Sequence, residues 1–457
     1  GETILGHNQC LLKHLFPSHI KILLGLKTKS LSFTGTIVQS DVLSCEDASH
    51  LEHLSLFYGG NGDKTSKVCN FLFTASQLTH LECRDFCNNT MLGIISLSYH
   101  NLYSLDLRGG DVTDEGVLRL CGIQQNLRQC IEVLNRGDRI FPVSKCSQTL
   151  KQIKLTMTKV TEAGVAIILL VLTKIFILRV PDITMKKLFT FLKEIDHKNI
   201  ESNLKEFHSR EILDENQLTV LTGLCPNLEY IQMSFVGNFE IDLISLQKLT
   251  RLRRLSGAKF ADVNALALMA FLSEMGNQLT YLFLYAYRNK FSQENLKITH
   301  THLWNLASAC TNLKNLTVDG YCLEEETFPI IYDAKNLKPF KNLRTLKLIS
   351  MNPSYEDLKV FLYKCTNMET LELEFKDTHV LHDRLIGELL DAGVWKNLRT
   401  INIRNSQITS KMLFRLVDEC PNLQVLGSLN SWLLSKDQIV HFKERVQREN
   451  LDIKINY

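Results

Sequence analysis

A few residue groups in this chain have the types and spacing to do chemistry. Cys83 and Cys87, with His80 close by, offer thiolate and imidazole donors of the kind that hold zinc. Cys83, however, takes the third apolar place after Leu78 and Leu81, and no second Cys/His pair stands at zinc spacing. Core packing is therefore the expectation for both thiols. His300-Thr301-His302 lacks the glutamate and the spacing of a zinc-binding helix. The carboxylates Asp114 and Glu115 could serve acid–base chemistry, but they open a helical pattern, where the positive helix N-terminus already accounts for them. There is no glycine-rich phosphate loop and no serine in a nucleophile-elbow pentapeptide. The reading is of a protein that is not an enzyme and needs no metal or cofactor.

What positions the side chains of this chain is a repeat. Cys225-Pro226-Asn227-Leu228-Glu229-Tyr230-Ile231 returns as Cys310-Thr311-Asn312-Leu313-Lys314-Asn315-Leu316, then from Cys365 to Leu371, then from Cys420 to Leu426. Without the cysteine the frame recurs at Leu102, Leu105 and Leu107, at Leu343, Leu346 and Leu348, and at Leu398, Ile401 and Ile403. The first apolar residue of each copy gives the series Leu51, Leu78, Leu102, Leu150, Ile175, Leu204, Leu228, Leu252, Leu279, Leu313, Leu343, Met368, Leu398 and Leu423. An LxxLxL core at a period of about 20–29 residues is the leucine-rich-repeat signature. The 48-residue step from Leu102 to Leu150 spans about two periods and implies a degenerate or replaced copy. Thr28, Leu31 and Phe33 read as an earlier copy.

Each copy runs strand, loop, helix. Val112-Thr113-Asp114-Glu115-Gly116, Val160-Thr161-Glu162-Ala163-Gly164 and Ile408-Thr409-Ser410 each place a threonine where it would cap a helix N-terminus. Met412, Leu413, Leu416 and Val417 form an apolar stripe that packs on the strands. The fold expected is α/β: a leucine-rich-repeat solenoid, a horseshoe of about 14–15 repeats with a concave parallel β-sheet and convex helices. Residues 1–27 read as an N-terminal cap, 28–430 as repeats in one domain, and 431–457 as a C-terminal cap with a charged helix from Ser435 to Asn450. Insertions are expected at 285–300 and 324–341.

Over the 457 residues, 52 basic and 49 acidic side chains leave a net charge of +3, too balanced to imply nucleic acid or an anionic membrane. The cluster Lys248, Arg251, Arg253, Arg254 reads as a solvated strand edge. Thirteen cysteines, an odd number that falls on repeat positions rather than in bracketing pairs, fit a reducing compartment, so a cytoplasmic or nuclear location is expected. That also sets aside Arg136-Gly137-Asp138 as an adhesion tripeptide. The most apolar run, Val165 to Leu172, is far short of the ~20 residues that cross a bilayer. No secretory signal is legible, and with Gly1 in first place an upstream segment stays open.

What remains is a surface. By strand alternation, the residue between the last two apolar positions points into the concavity, and so does the residue two further on. Those rows carry mostly ordinary polar residues, including Lys347, Glu372 and Arg404. The exception is Phe283, Tyr285, Tyr287 and Arg288, with Tyr321 one unit later. Aromatics and arginine facing solvent are the types enriched at protein interfaces. The eight residues form the expected partner-binding site, with local core beneath the neighbouring insertion as the competing reading.

The cysteine-containing repeat, roughly C-P-N-L-x-x-L-x-L followed by I-T-D-x-G, resembles that of the F-box/leucine-rich-repeat proteins. Cys225 to Ile231, Cys420 to Leu426, Val112 to Gly116 and Val160 to Gly164 carry the likeness, which covers about residues 28 to 430. The resemblance implies a substrate receptor of a cullin–RING ubiquitin ligase, with the concave face holding a protein substrate and an N-terminal F-box holding a Skp-type adaptor. Phe16-Pro17-Ser18-His19-Ile20 is similar to the start of an F-box, but a first strand near Leu31 leaves too little chain for its three helices. Either the F-box lies upstream of Gly1, or Phe16 to Leu24 is a remnant, or there is none.

Overall fold

The computed structural model describes residues 9–12, 28–34, 48–57, 65–136, 144–180, 185–194, 201–208, 214–234, 244–258, 265–285, 297–299, 306, 308–320, 322–324, 340–351 and 353–456. In a solenoid each repeat packs only on its neighbours. The chain accordingly divides into two compact units rather than gathering about one shared core. Unit 1 comprises residues 1–229 with 248–250, and unit 2 comprises 230–247 with 251–457.

Unit 1 holds β1 (Gln9–Leu12), β2 (Ser30–Thr34), β3 (His53–Phe57), β4 (His80–Arg84), β5 (Ser104–Arg108), β6 (Gln152–Lys154), β7 (Ile177–Arg179) and β8 (Glu206–His208). All pair in parallel with their sequence neighbours. Between them run α1 (Thr65–Thr74), α2 (Asn89–Ser98), α3 (Asp114–Leu120), α4 (Leu127–Asn135), α5 (Glu162–Val171), α6 (Met185–Glu194) and α7 (Glu215–Leu224). The register of β2 confirms the early copy: Leu31 is buried and aligns with Leu54, Leu81, Leu105 and Ile153.

One feature departs from the sequence reading and another agrees with it. The segment 1–27, expected as a cap or F-box remnant with the first strand near Leu31, contains β1, whose Cys10 aligns with Leu31. Four residues without the LxxLxL frame carry no repeat signature, so the strand was not legible. The proposed helix from Phe16 lies outside the described residues. The long step from Leu102 to Leu150, expected to hold a degenerate or replaced copy, contains no strand after β5 among its described residues. Ser104 pairs directly with Gln152, and the extra length forms α4 and a 3-10 turn, Lys145–Gln148.

Unit 2 holds β9 (Tyr230–Ser234), β10 (Arg254–Ala258), β11 (Tyr281–Tyr285), β12 (Lys297–Thr299), β13 (Asn315–Asp319), β14 (Cys322–Glu324), β15 (Thr345–Met351), β16 (Thr370–Phe375), β17 (Thr400–Arg404), β18 (Val425–Gly427) and β19 (Lys454–Ile455). Its helices are α8 (Ile244–Gln247), α9 (Ala265–Met275), α10 (Tyr355–Tyr363), α11 (Asp383–Asp391), α12 (Ser410–Glu419) and α13 (Lys436–Arg448). The strands form one parallel array, except that β12, inside the first expected insertion, and β14, leading into the second, make a separate two-stranded ribbon. At the C-terminus, α13 carries a capping box of Ser435 and Gln438, and the chain then returns to the sheet as β19.

Every marker residue from Leu51 to Leu423 is buried, as are the apolar residues three and five places later in the regular copies. Along the strands burial alternates, half-exposed then buried, which places one face against the helices and leaves the other available. The helix ends stack by side-chain bonds that the sequence did not reveal. Asn312, Asn342, Asn367 and Asn422, each just before a marker, donate to a backbone carbonyl of the preceding repeat at 2.7–3.0 Å.

The capping threonines are a partial correction. Only Thr161 accepts a bond from its own helix, at 3.3 Å from the Ala163 N–H; Thr113 and Thr409 make no side-chain cap bond. Instead their backbone N–H groups donate backwards, Thr113 to Asn89 Oδ1 and Thr409 to Asp383 Oδ1, both at 2.9 Å. Parallel stacking brings the first-turn acceptor of one repeat to the cap of the next, and a carboxylate is the stronger acceptor.

Candidate functional site

The strand register settles which side chains share the available face of each unit. In unit 2, Gln232, Ser256, Phe283, Thr317, Lys347, Glu372 and Asn402 stand in one row across β9 to β17. Tyr285, Asp319, Ile349, Glu374 and Arg404 form the next row towards the strand ends. In unit 1 the first row reads Ser55, Glu82, Asp106, Lys154 and Arg179.

Most of these side chains pair with one another. In unit 1 Asp106 accepts from Arg108 through both oxygens at 3.1 Å and from Lys154 at 3.0 Å. Burial pushes its carboxyl pKa up, but the hydrogen bonds and charges of Arg108 and Lys154 outweigh burial and hold it below the ordinary value. Glu82 accepts from Arg84, whose guanidinium lies 4.4 Å from the centre of the Phe57 ring. His80 stacks on His53 at 4.3 Å, on the face opposite Cys83, which is fully buried. The Cys87 thiol donates to the Cys83 carbonyl at 3.2 Å. Strand alternation thus separates the imidazole from the thiols, and the three do not converge.

In unit 2 the expected site residues separate into two groups. Lys347 bridges to Glu372 at 2.7 Å; Glu372 also accepts from Asn402 at 3.1 Å. Arg404 donates to Glu374 at 2.9 Å and to the Ser428 hydroxyl at 3.2 Å. These three residues are rungs of a ladder that cross-links β15 to β18, and an incoming partner would have to displace their existing bonds. Phe283 and Tyr285, by contrast, touch at 6.0 Å between ring centres and are half-buried. Tyr287, Arg288 and Tyr321 lie outside the described residues.

Beside Phe283 the structure adds two tyrosines that the sequence reading passed over and an arginine that it took for a solvated strand edge. The positions just before the second apolar residue also face this surface, and on β9 to β11 they are Tyr230, Arg254 and Tyr281. Tyr230 meets Tyr281 edge-on at 6.3 Å, with the Arg254 guanidinium 4.3 Å from the Tyr230 ring centre. Burial raises the Tyr281 hydroxyl pKa, against the nearby Arg254 charge. Tyr230 on β9 and Tyr281 on β11 thus flank Arg254 on β10, and Phe283 and Tyr285 continue the aromatic run along β11, with Ser256 buried beside Phe283 in the row. A cluster of this composition can bury large rigid side chains of a partner and orient them through tyrosine hydroxyls and a guanidinium.

Parallel strands at repeat spacing, each followed by its helix and aligned by the LxxLxL leucines, decide the architecture. The fold is that of a leucine-rich-repeat protein. No family model and no curated protein sequence matches the chain. Among solved structures, a leucine-rich-repeat protein of Leptospira interrogans aligns over 98% of this chain and 93% of its own, at 16% identity and a TM-score of 0.39. The complex of TLR13 with ssRNA13 aligns over 98% of this chain and 66% of the other, at 15% identity and a TM-score of 0.42. Among the described residues, no helix of this leucine-rich-repeat chain is long and apolar enough to cross a membrane.

Proposed function

We propose that the chain is a non-catalytic, protein-binding leucine-rich-repeat module whose partner seats on the aromatic cluster of unit 2. The observation that carries this is the run of Tyr281, Phe283 and Tyr285 along β11 beside Tyr230 and Arg254 on the available sheet face. Binding energy in protein interfaces concentrates in such residues, and the cross-linked charges elsewhere on the face are suited to a surrounding rim.

The repeat subtype extends the proposal to a role: substrate recognition for a cullin–RING ubiquitin ligase of the Skp-type, inside the cell. A free-standing interaction scaffold is the alternative, using the same face without the ligase. The discriminating experiment is affinity purification of the full-length gene product from its own cells with the proteasome inhibited, followed by mass spectrometry. Recovery of a Skp-type adaptor and a cullin supports the receptor role. Their absence, with other partners enriched, removes the ligase and leaves the scaffold.

A further inference from the structure

The whole chain is nearly neutral, yet one border of unit 2 is not. In the turns that lead into β10 through β18, Arg251, Lys314, Lys341, Arg344, Lys396 and Arg399 are all exposed. Among the described residues of those turns within unit 2, Glu369 is the carboxylate present, and it is bound to Arg344 at 3.0 Å. With 52 basic and 49 acidic residues overall, chance placement would mix the signs; here they separate. The charges belong to β10, β13, β15 and β17, so they repeat at one or two strand spacings along the same edge. At ~4.8 Å per strand the row runs about 24 Å. Its β10 end lies beside Tyr230 and Tyr281.

We propose that this edge is a docking rim for an acidic, extended segment of a protein partner. A strand-like peptide advances about 3.3 Å per residue, so about seven residues span the row and place acidic side chains opposite successive basic ones. Such a rim steers association and selects the partner's sign of charge. A carboxylate within the row favours a peptide over a nucleic acid. Glu369 lies in the rim. An unbroken row of phosphates would meet it, whereas a peptide can leave that position uncharged. The inference deepens the reading of unit 2 as the partner-binding part by naming the partner's chemistry.

The test uses the full chain and a fluorescent alternating Glu-Ser peptide of about ten residues, enough to span the row. A Lys-Ser peptide and a single-stranded RNA of equal charge serve as comparisons. The expected result is binding of the Glu-Ser peptide that weakens between low and physiological salt. It should fall at least about tenfold in the combined variant Arg251→Glu, Lys314→Glu, Lys341→Glu, Arg399→Glu. Should that variant lose its circular-dichroism melt, Lys314→Gln with Arg399→Gln asks the same question with a smaller charge change. Lys436→Glu, an exposed position on α13 outside the rim, should leave Glu-Ser affinity unchanged, and the aromatic site is read separately by recovery of native partners. No Glu-Ser binding by the wild type, equal affinity in the folded charge variants, or tighter binding of the RNA would each overturn the proposal.

Discussion

Asp114 of one repeat holds Thr161 of the next. Its Oδ1 accepts the Thr161 backbone N–H at 2.7 Å and its Oδ2 the Thr161 hydroxyl at 2.5 Å. Asp383 repeats the arrangement on Thr409, at 2.9 and 2.6 Å. One carboxylate therefore satisfies a helix N-terminus that is not its own, and the aspartate of the I-T-D-x-G motif is a staple between repeats.

The glycine of that motif makes room for the staple. A Cβ at Gly164 would stand 2.3 Å from Asp114 Oδ1 and 2.8 Å from Val160 Cγ1. Gly164→Ala should therefore destabilise unit 1 by about 1–2 kcal/mol, the overpacking cost exceeding the ~1 kcal/mol that alanine gains in a helix. Asp114→Ala alone should cost about 1 kcal/mol. Denaturant melts of both single variants and the double should show the double less unstable than the sum, because one of the two clashes disappears. Strict additivity would mean that the glycine is there for another reason.

The Asp106 network predicts a pH dependence whose sign follows from its depressed carboxyl pKa. A group held below its unfolded value contributes stability that is complete above that value, near 3.9, and is lost as pH falls through the folded value. Asp106→Asn should thus melt below the wild type at neutral pH, with the gap closing under acid conditions beneath about pH 4. A gap that persists unchanged to the lowest pH would assign the loss to packing rather than charge.

The repeat cysteines should be inert in the folded protein. Cys225, Cys310 and Cys420 are buried with pKa values pushed up by desolvation to about 12, and burial raises Cys365 as well. Thiol alkylation near pH 8, read by mass spectrometry, should leave these four unmodified in the native state and label them in denaturant. Labelling without unfolding would contradict their place as helix-terminal core.

How much of this was legible in advance follows the physics of each feature. The leucine frame was readable because burial demands an apolar side chain at each marker. The strand registers then followed, since a one-residue slip would invert every side chain. Tyr230, Arg254 and Tyr281 were within reach of the same alternation. Tyr230 and Tyr281 were missed because only the rows after the second apolar position were traced, and Arg254 was read as part of a solvated strand edge. The Asn312 and Asn422 bonds and the Asp114 staple depend on how neighbouring repeats stack, which no single repeat encodes. Lys347, Glu372 and Arg404 could be placed in strand rows from the sequence, but their bonds to one another, to Asn402 and to Glu374 appear only when parallel strands bring residues about 25–30 positions apart together.

The measurement that bears most directly on the central claim is partner recovery by the variant Tyr281→Ala, Phe283→Ala. Full-length wild type and variant would be purified side by side, with bound proteins quantified and melting checked by circular dichroism. If the aromatic cluster anchors a partner, losing two anchors should cost at least ~2 kcal/mol, a fall of about thirtyfold in affinity, with the fold intact. Equal recovery of the same partners by an equally stable variant would contradict the assignment of this face as the binding surface.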